Sequence, residues 1–164
     1  MRMEANSVMQ LSEIISSNAV LPSLKASGKR QLLQDIAQEG AKISGLDPQR
    51  IFEALLRREK LGSTGLGQGI AIPHGKFKEL DRVYGMFARL ATPVKFDSVD
   101  DRPVDLVFLL LAPESAGADH LKALARISRL LRDPQIVEKL RGTEKAEALY
   151  AILTEPTATT THAA

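Results

Sequence analysis

Apolar residues recur along this chain at two spacings, one helical and one extended. Between Lys29 and Ile43 they fall at Leu32, Leu33, Ile36, Ala37 and Ile43, one face of a helix. The following segment carries boundary signals of its own. Asp47 suits an N-cap, Pro48 the first helical position, and Gly62 a stop after Leu61. His120–Arg132 is strongly periodic, Pro134 opens another short helix, and Thr143–Leu153 predicts one more. Leu11–Ile15 reads as a short turn or helix. Extended runs are Ala19–Pro22, Ile70–Ile72, Val83–Leu90 and Val104–Leu111, the last apolar enough for a central strand. Strands mixed with helices in this order predict an α/β or α+β domain with helices packed on a sheet.

Composition narrows the function classes. The 164 residues favour a single domain. Lys plus Arg number 22 and Asp plus Glu 20, a net charge of +2. Despite a pI near 9.0, that balance argues against nucleic acid or an anionic membrane surface as partner. The chain has no Cys, which excludes disulfides, thiolate catalysis and Cys-ligated metals. The acidic and polar N-terminus shows no signal peptide, and the longest apolar run, Leu106–Pro113, is far short of a membrane span. A cytoplasmic protein is expected, with a folded domain over residues 1–154 and an unstructured tail over 155–164.

Chemistry concentrates around one loop. Five of the 11 glycines lie between Gly62 and Gly75, and such a loop can turn several N–H groups toward an anion. No Gly-Lys-Ser/Thr follows, so it is not a Walker A loop. It leads into Ile70-Ala71-Ile72 instead of a helix, so it is not a dinucleotide fingerprint either. A plain surface loop is the ordinary alternative. Pro73-His74-Gly75 ends it: Pro73 fixes its own φ and extends Ile72, which would hold His74 rigidly at a strand end. That placement suits a nucleophile, and equally a structural imidazole bonded to the loop.

Two further residues sit where polar groups need a reason. On a helical wheel starting at Ile51, Arg58 falls near roughly 340°, inside the apolar stripe, while Arg57 falls on the polar side. An inward guanidinium needs a partner, either a structural carboxylate or a bound anion. His120 lies on the apolar stripe of its helix, in the first turn, where the dipole disfavours imidazolium and favours an anion. A satisfied, half-buried histidine is the alternative. Lys122, Arg126 and Arg129 on the opposite face read as solvent-facing charge. His74, His120 and Asp119 show no zinc-type pairing. Ser63 lies near His74 in sequence but in no nucleophile elbow. His162 is assigned no role.

The run Arg58-Glu-Lys-Leu-Gly-Ser-Thr-Gly-Leu-Gly-Gln-Gly-Ile-Ala-Ile-Pro-His74-Gly resembles the signature of enzyme IIA domains of the fructose/mannitol class, part of the bacterial phosphoenolpyruvate-dependent phosphotransferase system. The resemblance spans about Leu11 to Leu153 and includes Pro93–Asp97, Asp105–Leu110 and His120-Leu121. Within the class it is most similar to the nitrogen-regulatory branch, and no IIB or IIC segment follows. The resemblance implies an α/β fold with a mixed β-sheet flanked by α-helices. It implies that His74 is phosphorylated on Nε2 by an HPr-like phosphocarrier, that Arg58 and His120 are the site arginine and second histidine, and that Ser63 and Thr64 line the phosphoryl pocket. No cofactor or metal is implied. The implied role is regulation of nitrogen or potassium metabolism through cytoplasmic targets, such as potassium transporters and sensor kinases. The rival roles are a sugar-transport IIA that passes phosphate to a separate IIB, and a module that binds an anion without covalent chemistry.

Overall fold

Helix boundaries follow their caps. In a computed structural model, which describes residues 10–115 and 117–155, the Asp47 carboxylate accepts the Gln49 N–H at 3.1 Å and Pro48 opens helix α2, Pro48–Lys60. Asp133 and Pro134 start α4, Pro134–Arg141, in the same way. Helix α1, Lys29–Ser44, ends at Gly45, whose φ of +80° is the left-handed cap that glycine adopts without a Cβ penalty. Helices α3, Gly117–Leu130, and α5, Ala146–Thr154, complete the set. The predicted turn at the N-terminus is a 3₁₀ turn, Leu11–Glu13, closed by Glu13 accepting the Gln10 N–H.

Six strands form one mixed sheet: β1 Ile15–Leu24, β2 Gly65–Gly67, β3 Ile70–Ala71, β4 His74–Phe77, β5 Tyr84–Val94 and β6 Val104–Pro113. Their order is β1-β5-β6-β3-β2, with β4 also paired to β6. The β5–β6 and β2–β3 pairs are antiparallel; β1 runs parallel to β5, and β3 and β4 run parallel to β6. Strand β6 is buried at every position except Asp105, which requires cover on both faces. Part of that cover is α1, which comes so close that a Cβ on Gly40 would stand 2.9 Å from the Leu109 side chain.

Strand β1 is longer than its expected core of Ala19–Pro22. Ile15 pairs with Gly85 but Val20 with Phe87, so the exposed Ser16–Asn18 bulge out of the ladder and interrupt the apolar alternation. Strands β2 and β4 are not among the predicted elements. Between β2 and β3, Gln68 (φ 58°) and Gly69 (φ 85°) make a tight turn, which Asp100 holds from the Gln68 N–H and Arg141 from the Gln68 carbonyl. The register Ala71↔Val107 continues as His74↔Leu110. Strands β3 and β4 are therefore one parallel run along β6, interrupted at Ile72-Pro73 because proline has no N–H for the ladder. Arg126, expected in solvent, is half-buried with its Nε shielded from water. The tail's residues 156–164 lie outside the described residues. Among those described, no helix is long and apolar enough to cross a membrane.

Candidate functional site

Strand β4 presents His74 as its first residue, and two fixed partners define the ring. Nδ1 lies 2.8 Å from the Ile72 carbonyl. A carbonyl only accepts, so Nδ1 carries the proton and Nε2 keeps its lone pair. Onto that lone pair the Arg58 Nε–H donates at 3.2 Å. Pro73 lies between the ring and its carbonyl anchor, and the Pro73 carbonyl itself accepts from Leu110 N–H at 3.0 Å. The backbone on the N-terminal side of the ring is thus held by β6.

Arg58 is half-buried on the inward side of α2 and Arg57 is exposed, as the wheel predicts. Its partner is neither a carboxylate nor solvent alone. While Nε faces His74, Nη1 donates to the Gly62 carbonyl at 2.8 Å, so one planar fork joins the histidine to the glycine loop. His120, in the first turn of α3, is 4% exposed, and its ring centroid lies 5.5 Å from that of His74. Its buried Nδ1 has no hydrogen-bond partner among the described residues.

Both imidazoles are biased toward the neutral form. Burial lowers the His74 pKa from its ordinary value and Arg58 lowers it further, against the Ile72 carbonyl and Glu59, which raise it. Burial is also the main cause at His120, followed by His74 and Lys76, and together they bring it down to about 4. The His74 ring thus has a second imidazole 5.5 Å away and a guanidinium bonded to its Nε2. A neutral nitrogen lone pair beside anchored positive charge can attack an electrophilic phosphorus and stabilise the oxygens around it.

The remaining predicted residues are placed differently. The Ser63 hydroxyl donates to the Phe96 carbonyl at 3.0 Å and accepts from the Gly65 N–H. The Thr64 hydroxyl and N–H both go to the Glu59 carboxylate. These bonds shape the loop, and Gly65 is confined with it, since a Cβ there would collide with the Ser98 hydroxyl. Glu59 and its partner Lys29, at 3.0 Å, are not among the residues the sequence singles out. A signal existed: on the α2 wheel Glu59 falls near roughly 80°, only about 40° from Leu55 and thus beside the apolar stripe. Among the described residues, no group of three or more His, Asp or Glu side chains is arranged to hold a metal ion.

The family of the phosphoenolpyruvate-dependent sugar phosphotransferase system described as EIIA 2 matches residues 13–155, nearly the whole described chain. The chain belongs to this EIIA 2 family. One relative, a nitrogen regulatory protein of Bradyrhizobium diazoefficiens, is 54% identical over 151 residues, covering 92% of this chain and 99% of its own. Another, a fructose-specific EIIA component of Haloferax volcanii, is 35% identical, covering 82% and 86%. The crystal structure of the nitrogen regulatory protein IIA-Ntr from Neisseria meningitidis superposes with a TM-score of 0.84 at 38% identity, covering 88% of this chain and 99% of that one. The single-domain mixed sheet flanked by five helices is the EIIA architecture, and membership places the chain among phosphocarrier and regulatory proteins.

Proposed function

We propose that this EIIA 2 chain is a phosphocarrier whose His74 Nε2 accepts a phosphoryl group from an HPr-like phosphohistidine protein, and whose output is regulatory. The observation that carries the reading is the paired hold on one ring. The Ile72 carbonyl accepts a hydrogen bond from Nδ1–H, so the lone pair is on Nε2, where it meets the Arg58 Nε–H. In the transfer, Nε2 attacks phosphorus in line, the donor's P–N bond breaks with its electron pair returning to the donor nitrogen, and an Nε2–P bond forms. Positive charge grows on the His74 ring as this happens, and the Nδ1–H bond to Ile72 becomes charge-assisted. Arg58 leaves the lone pair and turns to the phosphoryl oxygens, joined by the N-terminus of α3 and an N–H of His120. Positioning and charge supply the catalysis, with no further covalent help. Ser63 and Thr64 serve this site as the framework of the loop; contact of either hydroxyl with phosphate requires release from Phe96 or Glu59.

A phosphoryl group adds about −1.5 to −2 charge, which outweighs Arg58 at the ring and changes which surface a cytoplasmic target meets. The 54% identity to a nitrogen regulatory protein favours a role in nitrogen regulation. The 35% identity to a fructose-specific component supports the second reading, transfer onward to a IIB partner. Intact mass after incubation with phosphoenolpyruvate, enzyme I and an HPr-like carrier tests the chemistry. The expected result is one acid-labile phosphoryl adduct on the wild type and none on His74→Ala; an unmodified wild type with active donors sinks the proposal. Growth on fructose and mannitol after gene deletion separates the two outputs, since only a sugar-transport component is required for it.

A further inference from the structure

Beside Arg58, α2 carries a charge that the transfer step does not touch. The Glu59 side chain is only 6% exposed, accepts the Thr64 N–H at 3.1 Å and the Thr64 hydroxyl, and pairs with Lys29. Lys29, the first residue of α1, stands 4.5 Å over the Phe96 ring and reaches Asp97 at 3.8 Å. The Phe96 carbonyl in turn holds Ser63. Three successive residues of the loop are thereby tied: Gly62 to Arg58, Ser63 to Phe96 and Thr64 to Glu59.

Tying the loop backbone does not by itself require a charge, because a neutral amide oxygen would also accept the Thr64 N–H, with its NH2 then donating to the Thr64 hydroxyl. Burying a carboxylate carries a desolvation cost that its partners must offset. The field at His74 supplies a reason for the charge. The charged and titratable groups acting on the ring are Arg58 and Glu59 from α2, Lys76 from β4 and His120 from α3. Arg58 and Lys76 are cations, His120 is neutral, and Glu59 is the acid. Cations stabilise phosphoryl oxygens, but they also drain basicity from the attacking nitrogen and oppose the positive charge it acquires.

We propose that Glu59 is a positioning residue for phosphoryl acceptance: its carboxylate balances Arg58 and Lys76 at the His74 ring, while its bonds to Thr64 hold the loop whose Gly62 carbonyl aims Arg58. The inference rests on the phosphocarrier reading, and its test is separable from it. The ring of His74 is titrated by NMR in wild type, Glu59→Gln, Glu59→Asp and Lys29→Met. The same proteins are phosphorylated with phosphoramidate, whose P–N bond breaks and releases ammonia as Nε2–P forms.

Glu59→Gln is expected to lower the His74 titration and slow phosphorylation by about 10- to 100-fold, the scale of a misplaced reacting group. Glu59→Asp keeps the charge on a shorter arm, so the titration stays near wild type while transfer slows. Lys29→Met breaks the same ion pair but keeps the carboxylate, so the titration stays at or above wild type. A purely structural ion pair predicts that Glu59→Gln and Lys29→Met displace the ring in the same direction, and that result overturns the proposal. So does wild-type titration and rate in Glu59→Gln. If Glu59→Gln fails to fold, Glu59→Asp decides, and transfer at the wild-type rate overturns the positioning role. If wild-type His74 accepts no phosphoryl group from any donor, the phosphocarrier reading fails, while the titrations still decide the balance of charge.

Discussion

Removing the Arg58 guanidinium separates what it does for the fold from what it does for the chemistry. Arg58→Ala deletes two hydrogen bonds, the 2.8 Å bond to Gly62 and the 3.2 Å bond to His74 Nε2. For stability the effect is modest. The side chain is half-buried, so the lost bond to Gly62 is worth about 1 kcal/mol after solvent screening. On the proposed mechanism the effect on transfer is larger, because the guanidinium is the anchored cation that would meet the incoming oxygens. Loss of one such preorganised donor costs about 10²- to 10³-fold in rate, or about 3–4 kcal/mol of barrier. The same substitution frees the ring. Arg58 holds the His74 pKa down, so Arg58→Ala moves it up toward the ordinary histidine value, and the acid limb of the pH–rate profile moves with it to higher pH. Rapid-quench transfer from a phosphorylated HPr-like carrier, with urea melts and NMR titration of His74, reads all three. Arg58→Lys keeps a charge but cannot span Gly62 and the ring with one planar fork, so it falls between the two. Transfer by Arg58→Ala within threefold of wild type, with the fold intact, would refute the role given to the guanidinium.

Three further outcomes follow from particular residues. His120, buried and brought down to about 4, binds its proton in the unfolded chain first. Stability should therefore be fully present above pH 6.5 and be lost as pH falls through 6.5 toward 4, by up to about 3 kcal/mol; urea melts across that range check it, and the slope should shrink in His120→Gln. Gln68 holds a left-handed φ of 58°, which asparagine tolerates better, so Gln68→Asn should stabilise by about 0.5 kcal/mol, a rise of about 1–2 °C in Tm by calorimetry; a lower Tm would contradict the strain at this turn. Leu106 is fully buried on the central strand, and Leu106→Ala should cost about 2–5 kcal/mol in chemical denaturation, with a loss under 1 kcal/mol pointing to a core that collapses around the gap.

The legible parts of the molecule were those encoded locally. Asp47-Pro48 marks the start of α2 because cap and proline act within one turn, and the inward Arg58 follows from the same wheel. Val104–Leu111 reads as central because burial on both faces leaves no room for polar alternation. Strands β2 and β4 were not legible: Gly65–Gly67 and His74–Phe77 contain no alternation of their own and are extended because β3 and β6 lie beside them. The partners of Ser63 and Thr64 were hidden for a related reason. Ser63 meets a carbonyl 33 residues away, and the Thr64 hydroxyl turns back to α2. Glu59 is not legible because an acid at the margin of an apolar stripe looks like an ordinary helix surface until packing of α1 brings Lys29 to it.

The dependence of β4 on β6 has a consequence for when the protein becomes competent. His74 is in register with Leu110, so its strand has no ladder to join until a segment 36 positions downstream is available. A nascent chain that ends before Val104 contains Arg58, the glycine loop and His74, yet lacks the rail that sets the ring. On the proposed phosphocarrier role, a donor would meet a set acceptor only after β6 has emerged and been taken into the sheet. Copies whose β6 has not joined the sheet would then be left out of the accepting pool.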